Sequence, residues 1–392
     1  MRVPFFGKNK VVYLPNQTRK IDSGPGVAPH YLESSIYFPL TPESSELCIR
    51  RIFSTNYLKH ELPALLMVHG LGCDSNIFRI PNIEATGVYD LKHLQSFANL
   101  LAAEGFDVYL AHLSIAARIF TRLAARHYKT SIYSKIEYKI PDKLNFDDLV
   151  KDEAITLIKT ILDIRKEEGL PHANIFWLGH SMGGMLIYAL LGQFPEYRDL
   201  IKAAVTISSP VIFDQNMILL LDLVNNIIKM LQFNENHNLI NIAGRNLALL
   251  GSALSKTHQL PVLNNISRYF YNPDNTSGNA VAAYFKNAAE PIPIGLKHHF
   301  LKWRRERKFT SFDGSIDYLE KMSSIRVPFL ILRGMHDHLA PPENVRLAYE
   351  NLSYSTLKDI PKCGHGDIIF GRSAKYQVWH LINDWLQHPD RF

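Results

Sequence analysis

The middle of the chain reads Gly179-His180-Ser181-Met182-Gly183-Gly184. It follows an apolar run, residues 174–179, typical of a strand buried on both faces, and it precedes a helix-like run, residues 185–191. A serine framed by glycines at such a junction is the nucleophile-elbow pattern. Gly179 and Gly183 are expected there because side chains would collide with the flanking strand and helix. The pattern therefore predicts Ser181 as a nucleophile; the alternative is a glycine-rich turn with an incidental serine.

A serine nucleophile needs a base, and the base needs an acid that orients it. In folds with this elbow the chain order is Ser, then Asp or Glu, then His. Asp337 follows the buried-strand pattern of residues 329–332, and His365 follows the strand pattern of residues 357–360. Both positions lie after strands, where open α/β sheets build their sites. We therefore predict a catalytic triad of Ser181, Asp337 and His365.

Neighbouring residues leave two alternatives for this site. Asp367 could serve as the acid, although it lies only two residues from the histidine that it would orient. His336 and His338 could join Asp337 and His365 as metal ligands. No second ligand cluster completes such a site, so the sequence predicts neither a metal nor another cofactor.

An oxyanion hole requires two backbone N–H donors. In folds with this elbow, one belongs to the residue after the serine and the other to the loop after an earlier strand. His69-Gly70-Leu71-Gly72 follows the apolar run of residues 64–68. Its glycines allow the backbone to approach a substrate closely. We predict that the N–H groups of Leu71 and Met182 are the donors.

Strand-like and helix-like runs alternate between about residues 30 and 210. This alternation predicts an α/β fold with a mostly parallel sheet flanked by helices, with residues 35–38 and 47–53 as an antiparallel pair at one edge. Beyond Pro210 the periodicity turns helical until a strand pattern returns at residue 329. We divide the chain into four parts: an N-terminal extension (1–30), the first part of the core (31–210), a helical cap or lid (211–310) and the second part of the core (311–392).

Composition places the chain among globular proteins. Of its 392 residues 46% are apolar and 20% charged, which excludes disorder, collagen and a simple coiled coil. The three cysteines form neither a CxxC pair nor a disulfide framework. No secretory signal is recognised, and the apolar segment 211–233 contains too many charged and polar residues for a membrane span. We expect a soluble, cytoplasmic protein.

Two features of the cap bear on its partners. An apolar helix predicted over residues 212–231 suits a lipid-facing lid or an acyl-chain pocket, or else packs into the cap's own core. Residues 297–308 are basic with aromatic residues between the charges. We interpret this basic run first as a solvated helix, with His298 and His299 at the surface, and second as a peripheral contact with an anionic membrane. The net charge of +6 is too small to imply nucleic acid, and none is expected.

Three segments resemble the α/β-hydrolases and, within them, the acid-lipase branch of gastric and lysosomal lipases. They are residues 334–345 around Asp337, residues 365–371 beginning at His365, and Asn145-Phe146-Asp147-Asp148-Leu149. The resemblance implies an α/β-hydrolase fold with the cap inserted before the strand of the catalytic acid. It also implies hydrolysis of carboxylic esters, with lipid-like or long-acyl substrates, through an acyl-enzyme. Acyl transfer with the same triad and a non-catalytic binding protein of this fold are the alternatives.

Overall fold

The structure is a computed structural model that describes residues 5–6, 11–21, 30–38, 47–82, 96–114, 144–170, 174–213, 267–290 and 292–389. Residues 214–266 of the predicted cap lie outside this set, and with them nearly all of the apolar helix predicted over residues 212–231.

The described strands form one sheet of ten, in the order β1-β2-β3-β4-β6-β5-β7-β8-β9-β10. Neighbours from β6 to β10 are parallel, and the pairs from β1 to β4 and the β4–β6 pair are antiparallel. The parallel block and its flanking helices confirm the predicted α/β class. The strands are β1 Phe5–Phe6, β2 Val11–Ile21, β3 His30–Phe38, β4 Cys48–Ser54, β5 Ala64–Val68, β6 Asp107–His112, β7 Ile175–His180, β8 Ile201–Ile207, β9 Phe329–Gly334 and β10 Ser355–Ile360.

Helices cover both faces of the sheet, as β5 illustrates. Leu66 and Val68 join one apolar cluster, whereas Leu65 and Met67 join the cluster on the opposite face. A strand buried on both faces needs this continuous apolar run. The α-helices are Phe97–Ala103, Phe146–Asp148, Ile155–Glu167, Met182–Gln193, Gly278–Asn287, Ile294–Glu306, Tyr318–Met322, Pro342–Glu350, Asp367–Phe370 and His380–Gln387. Leu149–Ala154 and Lys375–Trp379 are π-helical turns.

The chain leaves the sheet after β8 and returns to it at β9. These two strands are parallel neighbours, with Val205 opposite Leu330, although more than 100 residues separate them in sequence. The segment between them therefore enters and leaves at one point of an otherwise continuous sheet. At the other edge, β2 lies within the segment 1–30 and pairs antiparallel with β3, so this segment adds strands to the sheet.

The segment 145–149 connects the core to the region where the cap ends. Asn145 begins the helical turn Phe146–Asp148, and its side chain accepts a hydrogen bond from Asp147 N at 2.8 Å. The Asp147 carboxylate accepts from Phe312 N and from the Tyr318 hydroxyl, each at 2.8 Å. These bonds anchor the returning chain against the start of a core helix.

The helix Ile294–Glu306 contains most of the basic run and has one buried face. His299 and Trp303, four residues apart, are fully buried, and Nε–H groups of both donate to the carbonyl of Thr310, at 3.0 and 2.6 Å. The prediction of a surface position is therefore wrong for His299, whereas His298 is exposed. Helical periodicity explains the difference, since adjacent residues face different sides of a helix. Burial lowers the pKa of His299, which keeps the ring neutral.

Among the residues described, no helix combines the length and the apolar character needed to cross a membrane.

Candidate active site

The elbow lies between β7 and the helix Met182–Gln193. Ser181 has φ +53° and ψ −119°, a left-handed backbone conformation that costs a non-glycine residue on the order of 1–3 kcal/mol. Its N–H donates to the carbonyl of Ile207 on β8 at 2.8 Å. The strained turn is thus anchored to the neighbouring strand, and the half-buried serine side chain lies at the carboxyl end of the parallel sheet.

The two predicted elbow glycines are required by close backbone contact. A Cβ on Gly179 would overlap the backbone of Gly183, and a Cβ on Gly183 would overlap the carbonyl of Val68 on β5. The Trp177 indole N–H donates to the Gly183 carbonyl at 3.0 Å, which ties β7 to the first turn of the helix. Strand and helix therefore pack too tightly here for any side chain.

His365 and Asp337 are in direct contact. His365 Nδ1 lies 2.9 Å from Asp337 Oδ2, and both residues are buried. The other carboxylate oxygen, Oδ1, accepts from Leu339 N at 2.9 Å and from Ala340 N at 2.7 Å. The loop after β9 thereby fixes the carboxylate, which in turn fixes the imidazole with its Nδ1–H toward the acid.

Asp367, the alternative acid, has other partners. Its Oδ1 accepts from Asn272 N at 2.7 Å and Gly364 N at 2.9 Å, and its Oδ2 accepts from Asn275 Nδ2 at 2.6 Å. Burial raises its pKa to about 6, while these hydrogen bonds act in the opposite direction. Asp367 thus binds the cap segment 270–275 to the loop that carries His365.

The histidines of the metal alternative lie apart from this pair. His336 and His338 are exposed, and His338 packs its ring 6.0 Å from that of Tyr269. Within the described part of the chain, no three His, Cys, Asp or Glu side chains are grouped as a metal site.

The predicted oxyanion loop, residues 69–72, follows β5 and is held from both sides. His69 Nδ1–H donates to the Gly70 carbonyl at 2.8 Å, and His69 Nε2 accepts from Leu113 N at 3.1 Å. Burial lowers the pKa of His69 to about 4, so the ring remains neutral in this arrangement. From the cap side, Glu290 N donates to the Gly72 carbonyl at 2.9 Å. Contacts with His69 on one side and with Glu290 on the other therefore determine the position of Leu71.

His180, directly before the serine, is a site residue that sequence reasoning missed. Its Nε2–H donates to the backbone carbonyl of His365 at 2.9 Å, and the two ring centroids are 4.8 Å apart. Burial lowers the pKa of His180 well below its usual value, and the proximity of His365 adds to this effect. Its place between Gly179 and Ser181 in the elbow pattern was the only available signal.

Two cavities meet at the site. The first, here called the serine chamber, is walled by Ser181, Met185, Pro210, Phe213 and Phe300. The second, the cysteine chamber, is walled by Cys73, Ile77, Phe270, Phe285, Ala289 and Ile292. Leu71, Leu339 and His365 line both cavities, so the histidine lies at their junction.

Residues 63–372 match the family described as the alpha/beta hydrolase fold. Three solved structures are similar to the chain in fold. An esterase from Rhodococcus sp. ECU1013 is 14% identical, with 90% of this chain and 98% of that one covered and a TM-score of 0.50. An esterase from Thermogutta terrifontis is 16% identical (95% and 98% covered, TM-score 0.46), and one from Exiguobacterium antarcticum is 15% identical (89% and 98% covered, TM-score 0.47). No curated protein matches the sequence.

Proposed function

The chain belongs to the α/β-hydrolase fold family, and on that basis we propose that it is a serine hydrolase that cleaves carboxylic esters. The observation that carries the proposal is the fixed His365–Asp337 pair, whose histidine lines the same cavity as the strained Ser181. A base that is oriented by a buried acid and lies beside a serine is the arrangement that activates the serine hydroxyl for attack.

In the proposed reaction Ser181 Oγ attacks the acyl carbon while His365 Nε2 takes the hydroxyl proton. His365 then gives that proton to the departing alkoxide, which leaves an acyl-enzyme on Ser181. Water attacks this ester in the same way, with its proton passing through His365 to Ser181 Oγ. Asp337 holds the imidazole in the Nδ1–H tautomer and stabilises the imidazolium that forms.

The negative charge of the tetrahedral intermediate is stabilised by hydrogen-bond donors that are already in position before the reaction. We propose the N–H groups of Leu71 and Met182 for this role. Each is adjacent to the site, one in the loop that lines both chambers and one at the first position of the helix after Ser181. Removing one such donor typically costs about 2.7–4 kcal/mol of transition-state stabilisation.

The proposed substrates are lipid-like esters. The apolar walls of both chambers support this, as does the resemblance of the segments at residues 145, 334 and 365 to the acid-lipase branch. A peripheral membrane contact through the cap and the basic run is part of the same proposal, since Arg305, Arg307 and Lys308 are exposed at the end of their helix.

A fluorophosphonate probe tests the proposed nucleophile. The wild-type protein should be labelled, and Ser181→Ala should not. Ser208→Ala is a matched control, because Ser208 is also a serine with left-handed backbone, φ +50°, at the end of the adjacent strand. Labelling that survives Ser181→Ala, or that is lost in Ser208→Ala instead, would contradict the assignment.

Acyl transfer is measured in the same system. A labelled ester is incubated with increasing concentrations of a competing alcohol. Release of free acid as the main product supports hydrolysis. A new ester as the main product at low alcohol concentration would instead assign the chain as an acyltransferase with the same nucleophile.

A further inference from the structure

We infer that Asn275 and Asp367 are positioning residues for the base. Their buried side chains pair between the cap segment 270–275 and the loop that carries His365, residues 362–373, here called the base loop. A part of the chain that contributes nothing to the triad thus sets the position of its histidine. This inference rests on the proposed function, since it takes His365 as the general base.

The backbone on both sides of His365 is held by this cluster. Gly364 N donates to Asp367 Oδ1 at 2.9 Å, and Gly366 N donates to the Phe270 carbonyl at 2.8 Å. A Cβ on Gly366 would lie 2.9 Å from the Phe270 carbonyl oxygen, too close for a side chain. The peptide units before and after the base are therefore fixed, one by a carboxylate and the other by a backbone carbonyl.

Asn275 connects to the base loop through its side chain and its backbone. Its Nδ2 donates to Asp367 Oδ2 at 2.6 Å and contacts Cys363 Sγ at 3.4 Å. Its Oδ1 accepts from Ser373 N at 3.0 Å, and its backbone carbonyl accepts from Arg372 N at 2.7 Å. One amide group thus holds the middle and the far end of the base loop at the same time.

Burial makes this pair depend on which side donates and which accepts. Asn275 is 6% exposed and Asp367 is 0% exposed. Asp367 Oδ1 already accepts from Asn272 N and Gly364 N, so the other oxygen, Oδ2, is left for Asn275. A buried polar atom that loses its partner keeps the full cost of its desolvation, so a mismatch should displace the base loop.

An exchange of the two side chains tests the inference. Asn275→Asp places two carboxylates opposite each other, and Asp367→Asn places two amides there. Each single variant should lower kcat by about five-fold, the effect of one hydrogen bond, and leave KM unchanged. Measurement at about pH 8, above the pKa of about 6 that Asp367 has in the fold, keeps the wild-type carboxylate ionised.

The double variant Asn275→Asp/Asp367→Asn restores one donor opposite one acceptor. It also keeps an acceptor oxygen for Ser373 N on one side chain, and for Asn272 N and Gly364 N on the other. Its kcat should therefore return to within about two-fold of wild type.

A spectroscopic measurement separates positioning from stability. The His365 Nδ1–H that faces Asp337 should give a proton NMR signal far downfield, which Asp337→Ala removes. This signal should shift upfield in both single variants and return in the double variant, because it reports the contact between the base and its acid.

Asp147→Asn is the matched control. Asp147 is also a buried carboxylate that binds distant parts of the chain, but its partners Phe312 and Tyr318 lie outside the base loop. This variant should lower the melting temperature and leave kcat and the downfield signal unchanged.

Asn275→Ala, which introduces no second charge, replaces Asn275→Asp if that variant does not fold, and should also lower kcat by about five-fold. Single variants with wild-type kcat and NMR signal overturn the positioning role. So does a loss that the folded double variant does not recover, or an equal loss of kcat in Asp147→Asn. Absence of fluorophosphonate labelling in the wild type instead overturns the proposed function, while the NMR comparison, which needs no substrate, still decides whether the pair positions His365.

Discussion

At residue 337 a single carboxylate accepts hydrogen bonds from two backbone amides and contacts one imidazole. The amides of Leu339 and Ala340 occupy Oδ1, which leaves Oδ2 for His365 Nδ1. The acid therefore selects the histidine tautomer through one oxygen while the loop holds the other. Asp367, two residues from the histidine, is engaged with Asn272 and Asn275 instead.

Asp337→Asn should reduce kcat by about 10⁴-fold. An amide Nδ2 facing His365 Nδ1 would force the tautomer with the proton on Nε2, which cannot accept a proton from Ser181. Ester hydrolysis under saturating substrate measures the effect. Asp367→Asn is the control, with an expected loss below about ten-fold and a lower melting temperature, because that residue holds the loop to the cap. A larger loss of kcat in Asp367→Asn would reverse the two roles.

In the proposed mechanism His180 positions the base. Its Nε2–H holds the backbone carbonyl of His365, so the strand that delivers the serine also fixes the loop that delivers the histidine. His180→Phe should lower kcat about five-fold, the equivalent of about 1 kcal/mol for one hydrogen bond, with KM unchanged. His180→Gln, which retains an N–H donor, should recover most of the loss. An equal loss in both variants, or a change confined to KM, would contradict this role.

At the scale of elements, Glu153 connects a π-helical turn to the end of β6. The N–H and the hydroxyl of Ser114 both donate to its carboxylate, with the N–H at 3.0 Å from Oε2. Burial raises the pKa of Glu153 to about 7, and the hydrogen bonds from Ser114 oppose that rise. The folded protein therefore binds this proton more tightly than the unfolded chain does.

This raised pKa predicts a stability difference that depends on pH. The unfolded carboxyl has a pKa of about 4.3, so between roughly pH 4.3 and about 7 unfolding releases a proton and wild-type stability falls as pH rises. Glu153→Gln removes this titration. The difference in free energy of unfolding, Glu153→Gln minus wild type, should increase by about 1.4 kcal/mol for each unit by which the pH rises in that window. Above the window the difference should stay constant. Urea unfolding at pH 5, 6, 7 and 8 measures it; a difference independent of pH would contradict the assignment.

At the scale of the whole molecule, one buried ionic group joins the antiparallel and parallel parts of the sheet. Arg51 on β4 makes a two-bond contact with Asp107 on β6, at 2.7 Å for each bond, and Arg165 reaches the same carboxylate at 3.1 Å. All three side chains are almost fully buried. Arg51 also contacts Glu168 at 2.8 Å. Glu168 directly follows the helix Ile155–Glu167, so the end of that helix is bound to the same ionic group.

Asp107→Ala should lower the free energy of unfolding by about 3–5 kcal/mol, because two buried guanidinium groups lose their common partner. Urea denaturation measures the change. The surface pair of Arg333 and Asp359 supplies the comparison, since Asp359 is half exposed. Asp359→Ala should cost no more than about 1 kcal/mol. Similar costs at the two sites would show that the buried group does not join the sheet as described.

Local patterns predicted the α/β class, the strands around the site and the order of the candidate residues. A buried parallel strand must be a short apolar run, and an elbow must have glycines where two backbones are in contact. Both features can therefore be recognised from residues that are neighbours in the sequence. Gly179 and Gly183 illustrate this, because the contacts that exclude side chains there involve residues close in sequence or an adjacent strand.

Contacts between distant segments were decided only by the tertiary structure. His180 and His365 are 185 residues apart, and Asp367 meets Asn275 across 92 residues. His299 belongs to a basic run that suggests a surface, yet its ring is buried by packing against residues 146 and 312. No local pattern encodes such partners, because a side chain's hydrogen bonds and burial depend on what the fold brings against it. The two chambers have the same origin: their walls combine the loops after β5 and β9 with residues of the predicted cap, and they exist only where those segments meet.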